Sequence, residues 1–429
     1  MSKNFITRVH EHRVLQKQVV ACIIVGLLVG VAAGYLAGTA WTGRRSPSEG
    51  AAGSKTITVP IGALLLLSGA QESYGKRGQA ALQLAIEDVN RYAEKVGSPF
   101  RFKLLPEDTR TDPQTAVSKL QSLASLGVKV VIGPYTSAET AAVKNFADAN
   151  HIVVISPASI SSNLAIPGDY VFRLIVPSKI IGWTLARAVV DRGFTKAAVI
   201  YRNDAWGSDL YAVFKKRFEE LGGRVVGVPY APKAQDLSAE VAKLSEVASK
   251  LGSGTAVVAI TFEKDGLQIL TLAAKDPVLS RLQWFGSSAI VGSDKIKDEA
   301  GSIAVKLGGL ISPLYTPPKT PDEEKFVERF KRVYGEAPDS FSMNAYDALW
   351  LAALTIIQVG KYDGEAVAKA LIPVSWKTYG ITGRLWLDEN GDRIGGKCGL
   401  WKIVKTGEGY KWVHIGDYDS VLDKITWSG

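Results

Sequence analysis

Cysteine is almost missing from this chain: two residues in 429, Cys22 inside an apolar run and Cys398 near the C-terminus. No internal disulfide between them is plausible, so the body must be held by a packed core, which its length permits. Histidine is scarce as well. Of four, only His151 and His414 lie outside the N-terminal tail, and no G-x-S-x-G elbow is present. The adjacent carboxylates Glu107 and Asp108 follow a strand pattern, and neighbours in extended chain point to opposite sides. No nucleophile with a base and no general acid/base pair emerges, so an enzyme is not expected.

Metal and phosphate loops are also lacking. Gly391–Cys398, GDRIGGKC, has Cys398 where a phosphate-binding loop needs Ser or Thr for Mg²⁺, and a strand pattern follows in place of a helix. Asp388, Asn390 and Asp392 start like a calcium loop, but Arg393 stands where Gly is required and Gly399 where the bidentate Glu belongs. Neither a cofactor nor a metal is expected. The net charge of +9 does not mark a nucleic-acid binder. Without residues 1–54, 45 basic and 40 acidic residues remain, dispersed as on a solvated mixed surface.

A long hydrophobic run is one thing the chain does have. Val19–Trp41 carries no charge over 23 residues, enough to cross a bilayer as a helix. Lys3, Arg8, Arg13 and Lys17 precede it and place the N-terminus in the cytoplasm and the rest outside. The reading is a cytoplasmic tail (1–18), a transmembrane anchor (19–41), with a signal segment cleaved at Gly38-Thr39-Ala40 as the alternative to an uncleaved anchor, and a Gly/Ser/Ala/Pro-rich tether (42–55).

From Thr56 strand and helix patterns alternate, as in an α/β protein of doubly wound, Rossmann-like halves. Strands are expected over 56–67, 100–105, 128–132, 152–155 and 170–175, then over 196–201, 224–230, 255–260, 282–286 and 307–312. Helices are expected over 75–95, 112–126, from 136, and over 178–193, 207–221, 236–251, 265–275, 321–334, 341–360 and 363–371. Two last strands, near 381–388 and 398–405, read as a hairpin turning at Asn390-Gly391.

The most telling stretch is VVIGPYTS (Val130–Ser137) followed by ISPAS (Ile155–Ser159). A β-branched strand stops at Gly133-Pro134 and a helix starts at Thr136-Ser137, leaving free N–H groups and hydroxyls at a strand's carboxyl end. Ser68-Gly69, Tyr74, Tyr135, Ala158, Ser159, Trp206, Phe262, Glu263 and Ser288 fall at other such ends. Their shared placement favours a small-molecule site with Tyr74 and Trp206 covering the ligand from either side.

These motifs resemble a known family. IGALLLLSGAQESYG (Ile61–Gly75), LAIEDVN (Leu84–Asn90), EDTRTDPQTAV (Glu107–Val117), VVIGPYTS, ISPAS and AYDALWLAA (Ala345–Ala353) occur in the order and spacing of the branched-chain amino-acid type of extracytoplasmic solute-binding proteins, which serve ABC importers. The resemblance implies two lobes, 56–175 with 313–378 and 176–312 with 379–429, joined by three hinge crossings and closing over a ligand. It also implies an ABC permease as partner. Under it, Ser137 matches a carboxylate-binding Ser, Ala158 a backbone-carbonyl contact, and Tyr74 and Trp206 aromatic wall positions. At Ile160 and Ser288 the chain departs: amino-acid binders have there a Thr and an acid that holds the α-ammonium. Glu263 or Asp204 is the candidate substitute. The expected function is delivery of a small polar ligand (amino acid, amide or related carboxylate) to the importer. The alternative is a ligand-sensing ectodomain acting with a signalling partner.

Overall fold

The computed structural model describes residues 56–428; the expected anchor and tether lie outside them. Among the described residues no helix is long and apolar enough to cross a membrane.

The first parallel sheet contains β1 (Ile57–Leu65), β2 (Phe100–Asp108), β3 (Val130–Ile132), β4 (Val153–Ser156) and β5 (Val171–Arg173), in the order β2-β1-β3-β4-β5. β3 and β4 are buried along their whole length, which is why they read as unbroken β-branched runs. The sheet is covered by α1 (Glu72–Lys95), α2 (Pro113–Ser125) and α3 (Ser137–Ala149). The cap of α2 is Asp112, which accepts from Thr115 N–H, with Pro113 opening the first turn.

The second parallel sheet contains β6 (Lys196–Arg202), β7 (Arg224–Tyr230), β8 (Thr255–Ile260) and β9 (Trp284–Gly286), ordered β7-β6-β8-β9. Its helices are α4 (Ser178–Asp191), α5 (Gly207–Glu220), α6 (Ser238–Leu251), α7 (Glu263–Ala273) and α8 (Asp294–Lys306). After β10 (Ser312–Thr316) come α9 (Pro321–Tyr334), α10 (Ser340–Val359) and α11 (Gly364–Ser375). α10 is apolar nearly all round because it is buried against α1 and the first sheet. Its buried Asp347 accepts from the N–H of Ile381 (3.0 Å) and Thr382 (2.8 Å), pinning the short pair β11 (Tyr379–Gly380) and β12 (Gly383–Arg384). Burial outweighs these bonds and pushes the Asp347 carboxyl up to about 6.

The C-terminal region departs from expectation. No strand spans 381–388. Asn390-Gly391 does form a tight turn, with Asp388 accepting from the N–H of Asn390 and Asp392 (both 2.9 Å), but it carries only one isolated bridge, Leu387 to Arg393. The reason is the buried pair Arg173–Asp392, with Arg173 N–H on Gly391 O (2.8 Å) and Arg393 N–H on Arg173 O (3.0 Å). These bonds draw the residues after the turn to β5. The strand expected at 398–405, β13 (Lys397–Thr406), pairs with β10 and with β14 (Gly409–Asp419), and β15 (Lys424–Trp427) completes an antiparallel sheet. The strand expected at 307–312 begins only at Ser312, because Gly308, Gly309 and Leu310 all take positive φ. α8, β14 and β15 have no counterpart in the sequence reading.

Candidate ligand-binding site

Carboxyl ends of strands from both parallel sheets meet around one small cavity of about 40 Å³. From the first sheet, the turn after β1 brings Leu66, Gln71 and Tyr74; the turn after β3 brings Tyr135, Thr136 and Ser137; Ala158 follows β4. From the second, Trp206 follows β6, Phe262 follows β8, and Ser288 and Ala289 follow β9; Phe341 reaches in from α10.

The turns after β3 and β4 are stitched together by hydroxyls. Thr136 and Glu139 form a capping box at the start of α3: Thr136 Oγ1 accepts from Glu139 N–H (3.2 Å) and donates to Glu139 Oε2 (2.6 Å). Glu139 is fully buried, and desolvation raises its pKa. Ser137 Oγ accepts from the N–H groups of Ile160 and Ser161 (3.2 Å each) and from Ser159 Oγ (3.1 Å). Ser156 Oγ donates to Pro134 O and accepts from Ser159 N–H (3.1 Å). Ser159 and Ile160 thus stand behind the wall as its support, outside the cavity lining.

The aromatic part of the wall is held by charges placed behind it. Trp206 and Phe262 lie with ring centroids 4.8 Å apart, and the Arg202 guanidinium sits over Phe262 at 4.4 Å. Arg202 is paired with Asp204 (2.6 Å) and Asp265. Asp204 also accepts from the N–H of Trp206 (3.1 Å) and Gly207 (2.9 Å), fixing the turn that presents the indole. Tyr74 meets Phe341 edge-on at 5.5 Å.

Cross-links between the two sheets' surroundings flank the cavity. Gln71 Nε2 donates to Ala289 O (3.0 Å) and its Oε1 accepts from Glu263 N–H (3.0 Å). Tyr74 OH donates to Val291 O (3.1 Å). Arg77, 4% exposed, pairs with Asp339 (2.9 Å) and Glu336 (3.1 Å) on one side and with Asp294 (3.0 Å) on the other. Lys233 reaches Asp112 (2.7 Å), which helps hold that carboxyl down near 2.

Glu263 and Asp204, the candidate partners for an ammonium, are both absent from the cavity lining. Glu263 is buried and engaged: Oε1 accepts from Ser293 Oγ (2.5 Å) and Oε2 from Ser73 Oγ (3.1 Å). Asp204 serves Arg202 and its own turn. Leu66, Gln71, Ala289 and Phe341 are wall residues the sequence reading did not single out. Leu66 and Gln71 sit inside a segment it did quote; Ala289 and Phe341 carry no local signal.

Two parallel α/β sheets whose strand ends enclose a small cavity make up the type I periplasmic binding fold. The chain belongs to the periplasmic binding protein family, whose profile matches residues 58–407. An uncharacterised protein of Methanocaldococcus jannaschii is 31% identical over 395 residues, 87% of this chain and 93% of that one. Among solved structures, the branched-chain amino-acid transporter substrate-binding protein LivJ of Streptococcus pneumoniae, in complex with isoleucine, superposes with a TM-score of 0.70 at 20% identity, covering 83% of this chain and all (100%) of that one. An ABC-transporter solute-binding protein of Rhodopseudomonas palustris, in complex with 3,4-dihydroxybenzoic acid, superposes with a TM-score of 0.69 at 20% identity, covering 85% and 98%. At that identity the two structures share the fold with this chain.

Proposed function

We propose that this chain is the membrane-tethered, extracytoplasmic solute-binding component of an ABC importer. It captures a small polar ligand, an amino acid, amide or related carboxylate, without transforming it, and hands it to a permease. The observation that carries the reading is the cavity between the carboxyl ends of two separate parallel sheets, which is where open α/β sheets take ligands. In this reading 56–175 with 313–378 and 176–312 with 379–429 are the two lobes. They pivot on three crossings, and Gln71, Tyr74 and Arg77 close the seam by a hinge motion. The apolar run Val19–Trp41 supplies the tether to the membrane.

Thermal-shift titration with amino acids, amides, short carboxylates and sugars tests this. A ligand of the native state raises the melting temperature, and above its Kd the rise follows the logarithm of its concentration. A shift with one class, with the ligand recovered unchanged, is expected; turnover of the ligand, or no shift with any, refutes the proposal.

A further inference from the structure

A second and larger cavity opens where residues of α1, α9 and α10 face the short pair β11–β12. Its volume is about 520 Å³, against about 40 Å³ between the parallel sheets, and the two cavities share no lining residue. Small-molecule sites occupy roughly 300–1,000 Å³ and are mostly apolar and aromatic, with a few polar groups. Five rings line this one: Tyr92 from α1, Phe326 from α9, Tyr346 and Trp350 from α10, and Tyr379 from β11. Four of them form a chain of contacts. Ring centroids lie 5.6 Å apart for Tyr92 and Trp350, 6.4 Å for Trp350 and Tyr346, and 4.7 Å for Tyr346 and Phe326. Tyr379 is 62% exposed and Tyr92 37%, so the rings leave apolar surface open around one hollow for another molecule to cover.

The charges of this wall are committed to partners of their own. Asp88 accepts from Arg329 (2.6 Å) and from the Tyr346 hydroxyl (2.8 Å). Lys325 pairs with Asp322 (3.3 Å) at the exposed rim. The buried Asp347 accepts from the N–H of Ile381 and Thr382. An entering ion would give up its water and meet no free counter-charge. An uncharged ring sheds little water and gains contacts with aromatic faces and edges on several sides.

The geometry points to a second ligand site in this cavity, for a small uncharged aromatic molecule and separate from the cleft between the sheets. The site goes beyond the transport role and does not depend on it.

The test is calorimetric titration of the full-length chain in detergent, with empty micelles as the blank. Three ligands share one ring: tryptophol is uncharged, tryptamine cationic and indole-3-acetate anionic. Tryptophol should bind on the order of tenfold more tightly than either ion. Tyr379→Ala and Tyr92→Ala, both at open rings and checked for folding by melting curves, should each weaken it by roughly threefold or more. Ala158→Trp, which fills the cleft cavity, should leave it unchanged. Absence of tryptophol binding, an ion that binds as tightly, or affinity that survives both tyrosine substitutions overturns the proposal. So does affinity lost with Ala158→Trp alone, which places the ligand in the cleft and leaves the transport role standing.

Discussion

Replacing Ser137 by Ala removes one oxygen that faces two ways. Toward the protein it accepts from Ile160 and Ser161 N–H, so the change strands buried donors; toward the cavity it removes the proton offered to the ligand. Affinity for a carboxylate or amide should fall by about 1–3 kcal/mol, with a stability loss of similar size. Calorimetry reads the first and denaturant melts the second; an unchanged affinity would take Ser137 out of the site. Asp347 behaves differently because its carboxyl is raised to about 6 in the fold, above its ordinary value of 3.8. Its contribution to stability is therefore full below pH 4 and lost as pH rises through 6, a swing of up to about 3 kcal/mol. Relative to Asp347→Asn, the wild type should lose unfolding free energy between pH 4 and 7, measured by urea melts at each pH. Ser137 was legible in the sequence because a hydroxyl stood where a β-branched strand gives way to a helix. Gln71 and Phe341 were not, since their roles depend on which distant turn they meet.

Among the elements, α1 shows most directly how packing overrides propensity. Gln71, just before its first turn, and Tyr74 and Arg77 within it recur at a spacing of three and present one face to the residues after β9. Glycine in a helix ordinarily costs up to about 1 kcal/mol relative to Ala. Here Gly78 lets the helix approach Tyr135 so closely that an added Cβ would sit 1.9 Å from its hydroxyl oxygen. Gly78→Ala should thus destabilise by about 1–3 kcal/mol, as overpacking does, and disturb the cavity wall; a melt showing stabilisation would refute the close approach. The parallel strands and most helices were legible because apolar runs and caps mark them. α8 was not: the residues it buries include the small Ala300, Gly301 and Ala304, amid charges, so its hydrophobic stripe is faint. The last strands failed for another reason. Asn390-Gly391 is a local turn signal, but the partner of β13 is chosen by non-local bonds around Arg173 and Asp392, which no short-range pattern encodes.

For the molecule as a whole, the alternation of elements was enough to read two α/β halves, whereas the contacts across their seam were not. Those contacts concentrate on the 71–74–77 face of α1, and Gln71 and Tyr74 belong at once to that face and to the cavity wall. Asp294 is about half exposed (51%), so Asp294→Asn, which spares the Arg77 pairs with Asp339 and Glu336, should cost less than about 1 kcal/mol in affinity. The consequence of this single helix face is one of timing. Under the proposed closure a ligand departs only after the bonds of Gln71, Tyr74 and Arg77 have all opened, so the helix sets a ceiling on the dissociation rate that ligands of different fit would share. Stopped-flow traces of Asp294→Asn should show release accelerated and association unaltered; an effect on association alone would contradict it. How long a solute stays would then be written partly in Arg77, a seam residue outside the cavity wall.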